Sequence, residues 1–339
     1  MTLISKWRRT SLAALCFALP VLGANAVVKL DPSLDQVVAT NAKLDVLKSD
    51  YFGLSEGPVW VKDGKGYLLF SDIGANAIYK WTPENTLSVY MEKSGYTGDV
   101  SAISLQGYVA SNGRLNISNF GSNGIVLDPQ GRLILCAQGD RAIVRIEKDG
   151  KRTVLADRFE GKRFNRPNDL VLKSNGSIYF TDPWAANNPN MDLPGPRVFL
   201  LKDGVVKLLL SDFRLPNGVA LSPDEKVLYV NDTLRKVIMR YDVQPDDTIS
   251  NGQVFIDMST DKTPGNPDGM KVDQLGNVYS TGPGGIWIMN SSGKHIGTIL
   301  LPETATNLNF GDADGKTLYI TDRKSFAKIR LKITGALWK

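Results

Sequence analysis

Six oxygen-bearing side chains recur along the chain, each just ahead of a short apolar run. They are Glu56 in SEGPVW, Asn123 in SNGIVL, Asn168 in PNDLVL, Asn217 in PNGVAL, Asp268 in PDGMKV and Asn307 in TNLNF. Carboxylate and carboxamide oxygens bind hard cations such as Ca2+, and no Cys or His belongs to the set. If the repeats close into a ring, these side chains converge on its axis, and the pattern predicts a divalent-cation site there.

A local explanation competes with ligation at each of these positions. Asn, Asp and Gly before a strand are ordinary turn formers, and P-N-G and P-D-G are good turns by themselves. Glu56 is a poor turn former that occupies the same position, so the set as a whole favours ligation. Glu56 and Asp268 would supply negative charge, while amide oxygens would complete the coordination shell.

Composition leaves little room for histidine or cysteine chemistry. His295 is the only histidine, and its segment NSSGKHIG predicts an exposed hairpin turn. A Ser-His-Asp triad or a His-based zinc site therefore has almost no residues to draw on. Cys136 lies in the apolar run RLILCAQG and is predicted to be a buried, inert thiol.

The elements that must position the six donors are short strands in a repeating order. A second strand follows each motif, at residues 66–72, 131–137, 176–182, 226–232, 276–282 and 316–322. A third strand follows in most repeats, the starts of the second strands lie 40 to 65 residues apart, and no long stretch has a helical period. Repeats of this size with up to four strands predict an all-β, six-bladed β-propeller whose central channel holds the metal site. The segment before the first motif, from Val27 to about Tyr51, is predicted to supply the outer strand that closes the ring.

The first 26 residues have the features of a secretory signal peptide. Lys6, Arg8 and Arg9 precede a short apolar stretch, and Ala24-Asn25-Ala26 resembles a signal-peptidase site. Cleavage would leave one propeller domain over residues 27–339, in the periplasm or secreted and not membrane-bound; an uncleaved anchor is the alternative. It would also reduce the net charge from +5 to +2. No basic block remains that would indicate nucleic-acid binding.

A second acid ends several of the second strands, namely Asp72, Asp182, Asp232 and Asp322. Gln138 and Gly282 take this place in the other two repeats. An Asp after a strand commonly caps the next turn by accepting backbone N–H groups, so a structural role is predicted for these acids. The long loop at residues 183–196 is a candidate lid or substrate wall, in which Trp184 could stack on a sugar-like ring or pack on its own blade.

Several of these motifs resemble one protein family. LSEGPVW with LLFSDIGANAIYKW resembles the first blade of the gluconolactonase/senescence-marker-protein (regucalcin) family. GKRFNRPNDLVLKSNGSIYFTDP, LPNGVALSPDEKVLYVNDT and NPDGMKVDQLGNVYS resemble its bacterial, exported gluconolactonase-like branch, and the similarity runs from about residue 40 to 332.

The resemblance implies a six-bladed propeller with one catalytic divalent cation in its channel. By motif, Glu56, Asn217 and Asp268 would be direct metal ligands, and Asn168 would bind the metal or contact water and substrate. The chain departs from the family at Gln138, where a His is usual, and in the loop after Asp182. Both departures affect the expected substrate more than the expected chemistry.

The predicted function is metal-dependent hydrolysis of a small lactone, preferably a sugar (aldono-) lactone. The cation would polarise the carbonyl, with Asp268 as candidate general base and Asn168 and Trp184 as substrate-binding residues. Calcium is the expected ion, and zinc, manganese and magnesium are alternatives. Two other functions stay open: a promiscuous esterase or organophosphate hydrolase at the same metal site, and a non-catalytic, calcium-stabilised binding propeller.

Overall fold

The strands of the chain form six four-stranded antiparallel units in sequence order. The computed structural model describes residues 25–99, 107–117, 120–183 and 191–336. Blade 1 consists of Ser55–Val61, Tyr67–Asp72, Ala77–Thr82 and Thr86–Glu92; blade 2 of Ser122–Leu127, Leu133–Ala137, Ala142–Ile146 and Arg152–Ala156; and blade 3 of Leu170–Leu172, Ile178–Asp182, Arg197–Lys202 and Val205–Leu210. Blade 4 consists of Pro216–Leu221, Val227–Asp232, Val237–Val243 and Ile249–Asp257; blade 5 of Met270–Val272, Val278–Gly282, Gly285–Met289 and His295–Leu300; and blade 6 of Ala305–Gly311, Thr317–Asp322, Ser325–Arg330 and Leu44–Lys48.

The first strand of each blade in spatial order is its innermost strand, and these six inner strands form a closed circle. Each inner strand contacts that of the next blade, and the inner strand of blade 6 contacts that of blade 1. The predicted six-bladed β-propeller is thereby confirmed, and every predicted second strand is present.

Burial changes from the axis to the rim, which explains the sequence pattern of the strands. The second strand of blade 1 is almost fully buried, whereas most residues of its outer strand Thr86–Glu92 are exposed or partly exposed. Neighbouring blades pack on both faces of a middle strand, so that strand is a continuous apolar run and does not alternate. Trp60 of blade 1, for example, stacks on Tyr319 of blade 6 with ring centroids 5.4 Å apart.

The N-terminal segment closes the ring as predicted. Leu44–Lys48 pairs antiparallel with Ser325–Arg330 and forms the outer strand of blade 6. A second pairing was not predicted: Val27–Lys29 adds a fifth strand to blade 5 by pairing with His295–Leu300. The segment between these two strands contains the short 3-10 helix Pro32–Gln36, so one stretch of chain joins the last two blades.

Two small hairpins stand outside the blades. Gly107–Val109 pairs with Leu115–Ile117 in the connection from blade 1 to blade 2, and Arg158–Phe159 pairs with Lys162–Arg163 before blade 3. The first of these hairpins accounts for the longer spacing after the first repeat. It lies over the loops of blade 1, because the Ile117 N–H donates to the Gly74 carbonyl at 2.8 Å.

Two single residues can be compared with their predictions. Cys136 is fully buried, and burial raises its pKa well above the usual range, as expected of an inert thiol. The prediction for His295 was wrong: it begins the strand His295–Leu300, is partly buried and stacks on Trp287 at 3.8 Å between centroids. The turn residues of NSSGKHIG come earlier in the segment. The imidazole of His295 is partly buried because it stacks on the Trp287 ring. Within the described ranges, no helix is long and apolar enough to cross a membrane.

Candidate metal centre and active site

Five of the six predicted donors line one cavity of about 130 Å³ in the channel: Glu56, Asn123, Asn168, Asn217 and Asp268. Each lies in or just ahead of the inner strand of its blade, which places all five at the same height on the axis. Apolar residues Leu54, Ile73, Pro183 and Leu215 complete the wall together with Thr306. The structure therefore brings the four predicted metal ligands together in one site.

Glu56 is held by one of its two carboxylate oxygens. Its Oε2 accepts the Gly57 N–H at 2.6 Å and the Asn307 amide Nδ2 at 2.8 Å. The other oxygen, Oε1, has no hydrogen bond within the described part of the chain. Burial raises the pKa of Glu56 to about 7, and the nearby carboxyl of Asp169 acts in the same direction. Asn307, the sixth predicted donor, thus orients Glu56 and does not line the cavity itself.

The three other amide residues form a directed chain around the cavity. Asn123 Nδ2 donates to Asn168 Oδ1 at 2.5 Å, Asn168 Nδ2 donates to Asn217 Oδ1, and Asn217 Nδ2 donates to Thr233 Oγ1 at 3.3 Å. The side-chain oxygen Oδ1 of Asn123 is buried and has no partner among the described residues. Such a chain fixes the position of every amide on the cavity wall, and it leaves this one amide oxygen without a donor.

Asp268 is a partly buried carboxyl on the side of the cavity opposite Asn123, where the amide chain begins. Its backbone N–H donates to Thr281 Oγ1 at 2.7 Å, which fixes the turn ahead of the inner strand. Burial raises the pKa of Asp268 well above its ordinary value, and the neighbouring carboxyls of Glu56 and Asp169 raise it further. Asn217 and Arg323 act in the opposite direction.

Three of the four acids that end a second strand accept backbone N–H groups just ahead of a donor. Asp232 also caps the turn that follows it, as predicted, by accepting from Leu234 and Arg235. Asp72 accepts the N–H groups of Gly53 and Leu54, which precede Glu56. In the same manner Asp182 accepts from Asn165 and Arg166 ahead of Asn168, and Asp232 accepts from Arg214 and Leu215 ahead of Asn217. In blade 5, Gly282 replaces the acid, and the Thr281 hydroxyl accepts the backbone N–H of Asp268 instead.

Glycine follows four of the six donors because neighbouring inner strands approach closely there. A Cβ on Gly57 would lie 2.2 Å from the Asn123 carbonyl oxygen, and one on Gly218 would lie 2.0 Å from the Asp268 carbonyl oxygen. A side chain at either position would push two blades apart at the channel. The glycines therefore set the diameter of the donor ring.

Asp169 and Lys271 belong to the channel but were missed from sequence. Asp169 follows Asn168 where four other repeats have Gly, and this was the signal that could have found it. It is only 3% exposed and its Oδ2 has no partner among the described residues. Lys271 is partly buried in the inner strand of blade 5, with Nζ 3.4 Å from Asn307 Oδ1.

Gln138 and Arg323 lie beside the cavity. Gln138 is buried and donates through Nε2 to Asn168 Oδ1 at 3.2 Å. Arg323 follows Asp322 as Ile73 follows Asp72 and Pro183 follows Asp182, and both of those residues line the cavity. Arg323 is exposed, and its charge lowers the pKa of Asp268.

The predicted substrate residue Trp184 lies outside the described residues. The end of its loop is anchored to blades 2 and 3. Leu193 is buried, and its backbone N–H and carbonyl both pair with the Asn165 side chain. Asp192 forms an ion pair with Arg141 at 3.2 Å.

The donor set fits a hard divalent cation. The buried carboxyl of Glu56, the partly buried carboxyl of Asp268 and three amides face one small cavity, and the buried Asn123 Oδ1 has no partner in the described structure. No group of three or more His, Cys, Asp or Glu side chains is arranged for a metal ion in the described ranges. The site therefore depends on amide oxygens beside its two acids, a composition that suits calcium and not soft-ligand metals.

Comparison with known proteins identifies the family. The model of the SMP-30/Gluconolactonase/LRE-like region matches residues 54–324. The chain belongs to this family. Among relatives of this SMP-30/gluconolactonase protein, a gluconolactonase of Zymomonas mobilis is 33% identical over 324 residues, covering 91% of this chain and 87% of that protein. The pentonolactonase XacC of Haloferax volcanii is 27% identical over 79% of this chain and 81% of its own length.

A solved structure agrees with these sequence relatives. A gluconolactonase from Xanthomonas campestris matches with a TM-score of 0.74 and 28% identity, over 90% of this chain and 94% of that one. The resemblance read from the motifs is confirmed at the level of the family. The family match at residues 54–324 includes strands of all six blades.

Proposed function

We propose that this protein hydrolyses small lactones, with aldonolactones as the preferred class, and that it does so with a divalent cation in the channel. The observation that carries the proposal is the cavity in which Glu56, Asn168, Asn217 and Asp268 converge. Relatives named gluconolactonase and pentonolactonase support the substrate class. The donor chemistry supports calcium as the ion, with zinc, manganese or magnesium as possible substitutes.

The four residues divide the work of holding the ion. Glu56 would present Oε1, because its Oε2 is already occupied by Gly57 and Asn307. Asn217 Oδ1 accepts one donor and has a lone pair left for the ion, whereas Asn168 Oδ1 accepts from Asn123 and Gln138 and would release one of them to bind it. Asp268 would supply the second negative charge. When bound, the cation would polarise the lactone carbonyl and stabilise negative charge on its oxygen.

Asp268 is the proposed general base. Burial raises the pKa of Asp268 in the ion-free channel, whereas a bound cation would hold it low and limit its strength as a base, so the assignment rests on the position of Asp268 at the cavity. In the reaction, the oxygen of water bonds to the carbonyl carbon and its proton passes to Asp268. The ring C–O bond then breaks, and that proton reaches the departing ring oxygen, which becomes the hydroxyl of a hydroxy acid.

The remaining wall would recognise the body of the substrate. Leu54, Ile73, Pro183 and Leu215 offer an apolar surface for the C–H faces of a ring. Asn168 and Trp184 remain the proposed polar and stacking contacts. Gln138 donates to Asn168 and so can alter substrate preference without taking part in the bond changes.

Hydrolysis should be measured on the chelated protein with each metal restored separately. The panel would contain aldonolactones of two ring sizes, aryl esters and phosphotriesters, with acid release followed by pH-stat. We expect the highest kcat/KM on an aldonolactone, with calcium and at least one other divalent ion, and no turnover after chelation. A control variant, Asp312→Asn, removes an acid of blade 6 that contacts Tyr319 outside the channel and should retain activity.

Two results would reject parts of this proposal. No turnover on any lactone, together with a melting temperature raised by calcium, would indicate a binding propeller. A higher kcat/KM on phosphotriesters or aryl esters than on every lactone would make lactone hydrolysis the side activity.

We further infer that the protein is exported to the periplasm or secreted. The basis is the charge and apolar pattern of residues 1–26, most of which lie outside the described residues. N-terminal sequencing of the protein recovered from the periplasmic fraction should begin at Val27. Recovery of the full-length chain in the cytoplasm would reject the inference.

A further inference from the structure

A further repeated position lies directly before the acid that ends most of the second strands. Its residues are fully buried, and five of the six are polar: Ser71, Ala137, Thr181, Asn231, Thr281 and Thr321. Polar side chains that are buried to this extent need hydrogen-bond partners. In blades 1, 3 and 4 the partner is a main-chain carbonyl of the next blade.

Thr181 joins the main chain beside one proposed metal ligand to that of the next. Its Oγ1 accepts the N–H of Asp169, the residue after Asn168, at 3.2 Å. The same hydroxyl donates to the Asn217 carbonyl at 2.7 Å. One buried hydroxyl therefore connects blade 3 to blade 4 at the level of the cavity.

Asn231 repeats this connection between blades 4 and 5, with an amide in place of the hydroxyl. Its Oδ1 accepts the Gly218 N–H at 3.1 Å, and its Nδ2 donates to the Asp268 carbonyl at 2.5 Å. Only this orientation of the amide satisfies both partners, because the reverse would set Nδ2 against an N–H and Oδ1 against a carbonyl.

One peptide group connects the two side chains. The Asn217 carbonyl and the Gly218 N–H belong to the same peptide bond, which accepts from Thr181 and donates to Asn231. All of these bonds run in one direction around the axis, from blade 3 through blade 4 to blade 5. Aligned hydrogen bonds polarise one another, so each bond of the chain strengthens its neighbours.

Further bonds extend this chain on the side of blades 1 and 2. Ser71 donates to the Asn123 carbonyl at 2.8 Å. The Gly124 N–H, which belongs to the same peptide group as that carbonyl, donates to the Asn168 carbonyl at 2.9 Å. These bonds have the same direction as those between blades 3 and 5.

At its other end, the chain reaches blade 6. The N–H of Gly269, the residue after Asp268, donates to the Thr306 carbonyl at 2.7 Å. We call the complete series of hydrogen bonds from Ser71 to Thr306 the peptide belt. It contains the peptide group that follows each of three proposed metal ligands, namely Asn168, Asn217 and Asp268.

We propose that Thr181 and Asn231 are positioning residues, which hold these three ligands at the spacing that a divalent cation needs. Neither residue is part of the cavity wall, so each acts through the main chain of a ligand. The peptide belt orders the ligands before the ion arrives, and less ordering is then left to oppose binding. This inference rests on the proposed cation site, and it does not depend on which substrate the protein hydrolyses.

The test compares substitutions that keep or remove a hydroxyl at each position. Thr181→Val removes the hydroxyl and Thr181→Ser keeps it. Asn231→Val removes both hydrogen bonds, and Asn231→Thr supplies the hydroxyl that blade 3 uses at the equivalent position. Calcium chloride is titrated by calorimetry into each chelated full-length protein. We expect the Val variants to raise Kd about tenfold, as for one lost buried hydrogen bond, and the Ser and Thr variants to stay within about threefold of wild type.

Thr317→Val is the matched control. Thr317 is a buried threonine in the second strand of blade 6, and its hydroxyl donates to Asp312 outside the channel. Its replacement should lower the free energy of unfolding but leave the calcium Kd of the folded protein unchanged. An equal rise in Kd for Thr317→Val would show that any lost buried hydroxyl has this effect, and it would overturn the assignment of Thr181 and Asn231.

A measurement on wild type keeps the test decisive if a Val variant folds poorly. Hydrogen exchange of the Asp169 and Gly218 amides is followed by NMR without calcium and with calcium at about ten times its Kd. We expect exchange at both amides to slow about tenfold, because opening these bonds would release the ligands from the ion. The Gly131 amide, in the turn at the other end of the blade 2 inner strand, should exchange at an unchanged rate. Unchanged exchange at Asp169 and Gly218 would overturn the proposal.

The outcomes also separate this inference from the proposed function. A wild-type Kd in folded Thr181→Val and Asn231→Val, or a loss of affinity that Ser and Thr do not restore, would overturn the role of the peptide belt and leave the cation site intact. No calcium, zinc, manganese or magnesium bound by wild type would overturn the proposed cation site itself.

Discussion

The chelated protein should become less stable as pH rises from 5 to 8, and Glu56 should account for much of the loss. Burial raises the pKa of Glu56 from 4.5 to about 7. The folded protein therefore holds a proton that the unfolded chain releases near pH 4.5. Between these two values, rising pH favours the unfolded state, and the free energy of unfolding falls.

The size of this effect follows from the shift. One pKa unit corresponds to ~1.4 kcal/mol, so a shift of this size amounts to about 3 kcal/mol at and above pH 7. The partly buried Asp268 and the buried Asp169 also have raised pKa values, and their contributions have the same sign. A bound divalent cation would reverse this loss of stability, because it binds the carboxylates that rising pH ionises.

Urea unfolding of chelated protein at pH 5, 6, 7 and 8 measures the effect. Glu56→Gln keeps an oxygen for the Gly57 and Asn307 donors but cannot ionise, so its unfolding free energy should fall by about 3 kcal/mol less than that of wild type. Millimolar calcium should flatten the wild-type curve and leave that of Glu56→Gln less changed. Identical slopes for the two chelated proteins would refute the argument that Glu56 is a buried, protonated acid in the ion-free channel.

Three further substitutions test the roles of single residues around the cavity. Asp268→Asn should lower kcat by roughly 10²–10⁴-fold, the range for loss of a general base, while calcium affinity measured by calorimetry falls much less; equal losses would remove the base assignment. Gln138→His should change KM for different lactones more than kcat, because Gln138 reaches the site only through Asn168, and a kcat change alone would contradict this. Arg323→Gln should alter KM and raise the pH of half-maximal activity, because Arg323 lowers the pKa of Asp268. The neighbouring exposed Lys324→Gln should leave both unchanged, and equal effects of the two variants would show that Arg323 has no special place at the cavity.

The repeat made most of the fold predictable. Short apolar strands between Gly, Asn and Asp turns gave the six blades, and the strand-like segment LDVLKSD indicated the closure that Leu44–Lys48 provides. The fifth strand of blade 5 could not be seen in this way, because Val27–Lys29 is three residues long and pairs with a strand far along the chain. Such a pairing leaves no local pattern.

The six oxygen donors could also be predicted from the repeat, because they occupy the same position relative to every inner strand. What the register could not show was which donor lines the cavity and which orients another. Asn307 and Asn123 have the same residue type, yet Asn307 donates to Glu56 while Asn123 lines the wall. Asp169 and Lys271 interrupt the repeat, so a search for similarity among the repeats passed over them.

The seam between blade 6 and blade 1 has a consequence for the order of folding. Leu44 pairs with Ile329 and Val27 with Ile299, whereas blades 1 to 4 pair only strands that follow one another in sequence. Closing so long a loop is slow, and it must wait until blade 6 exists. Until then the outer edges of blades 5 and 6 lack their partners, and such free edges invite pairing with other chains. The Asn307–Glu56 hydrogen bond crosses this seam, so the cavity is complete only in the closed ring. A cation that needs Glu56 and Asp268 together would therefore bind only after the ring has closed, and it would stabilise the closed ring against reopening.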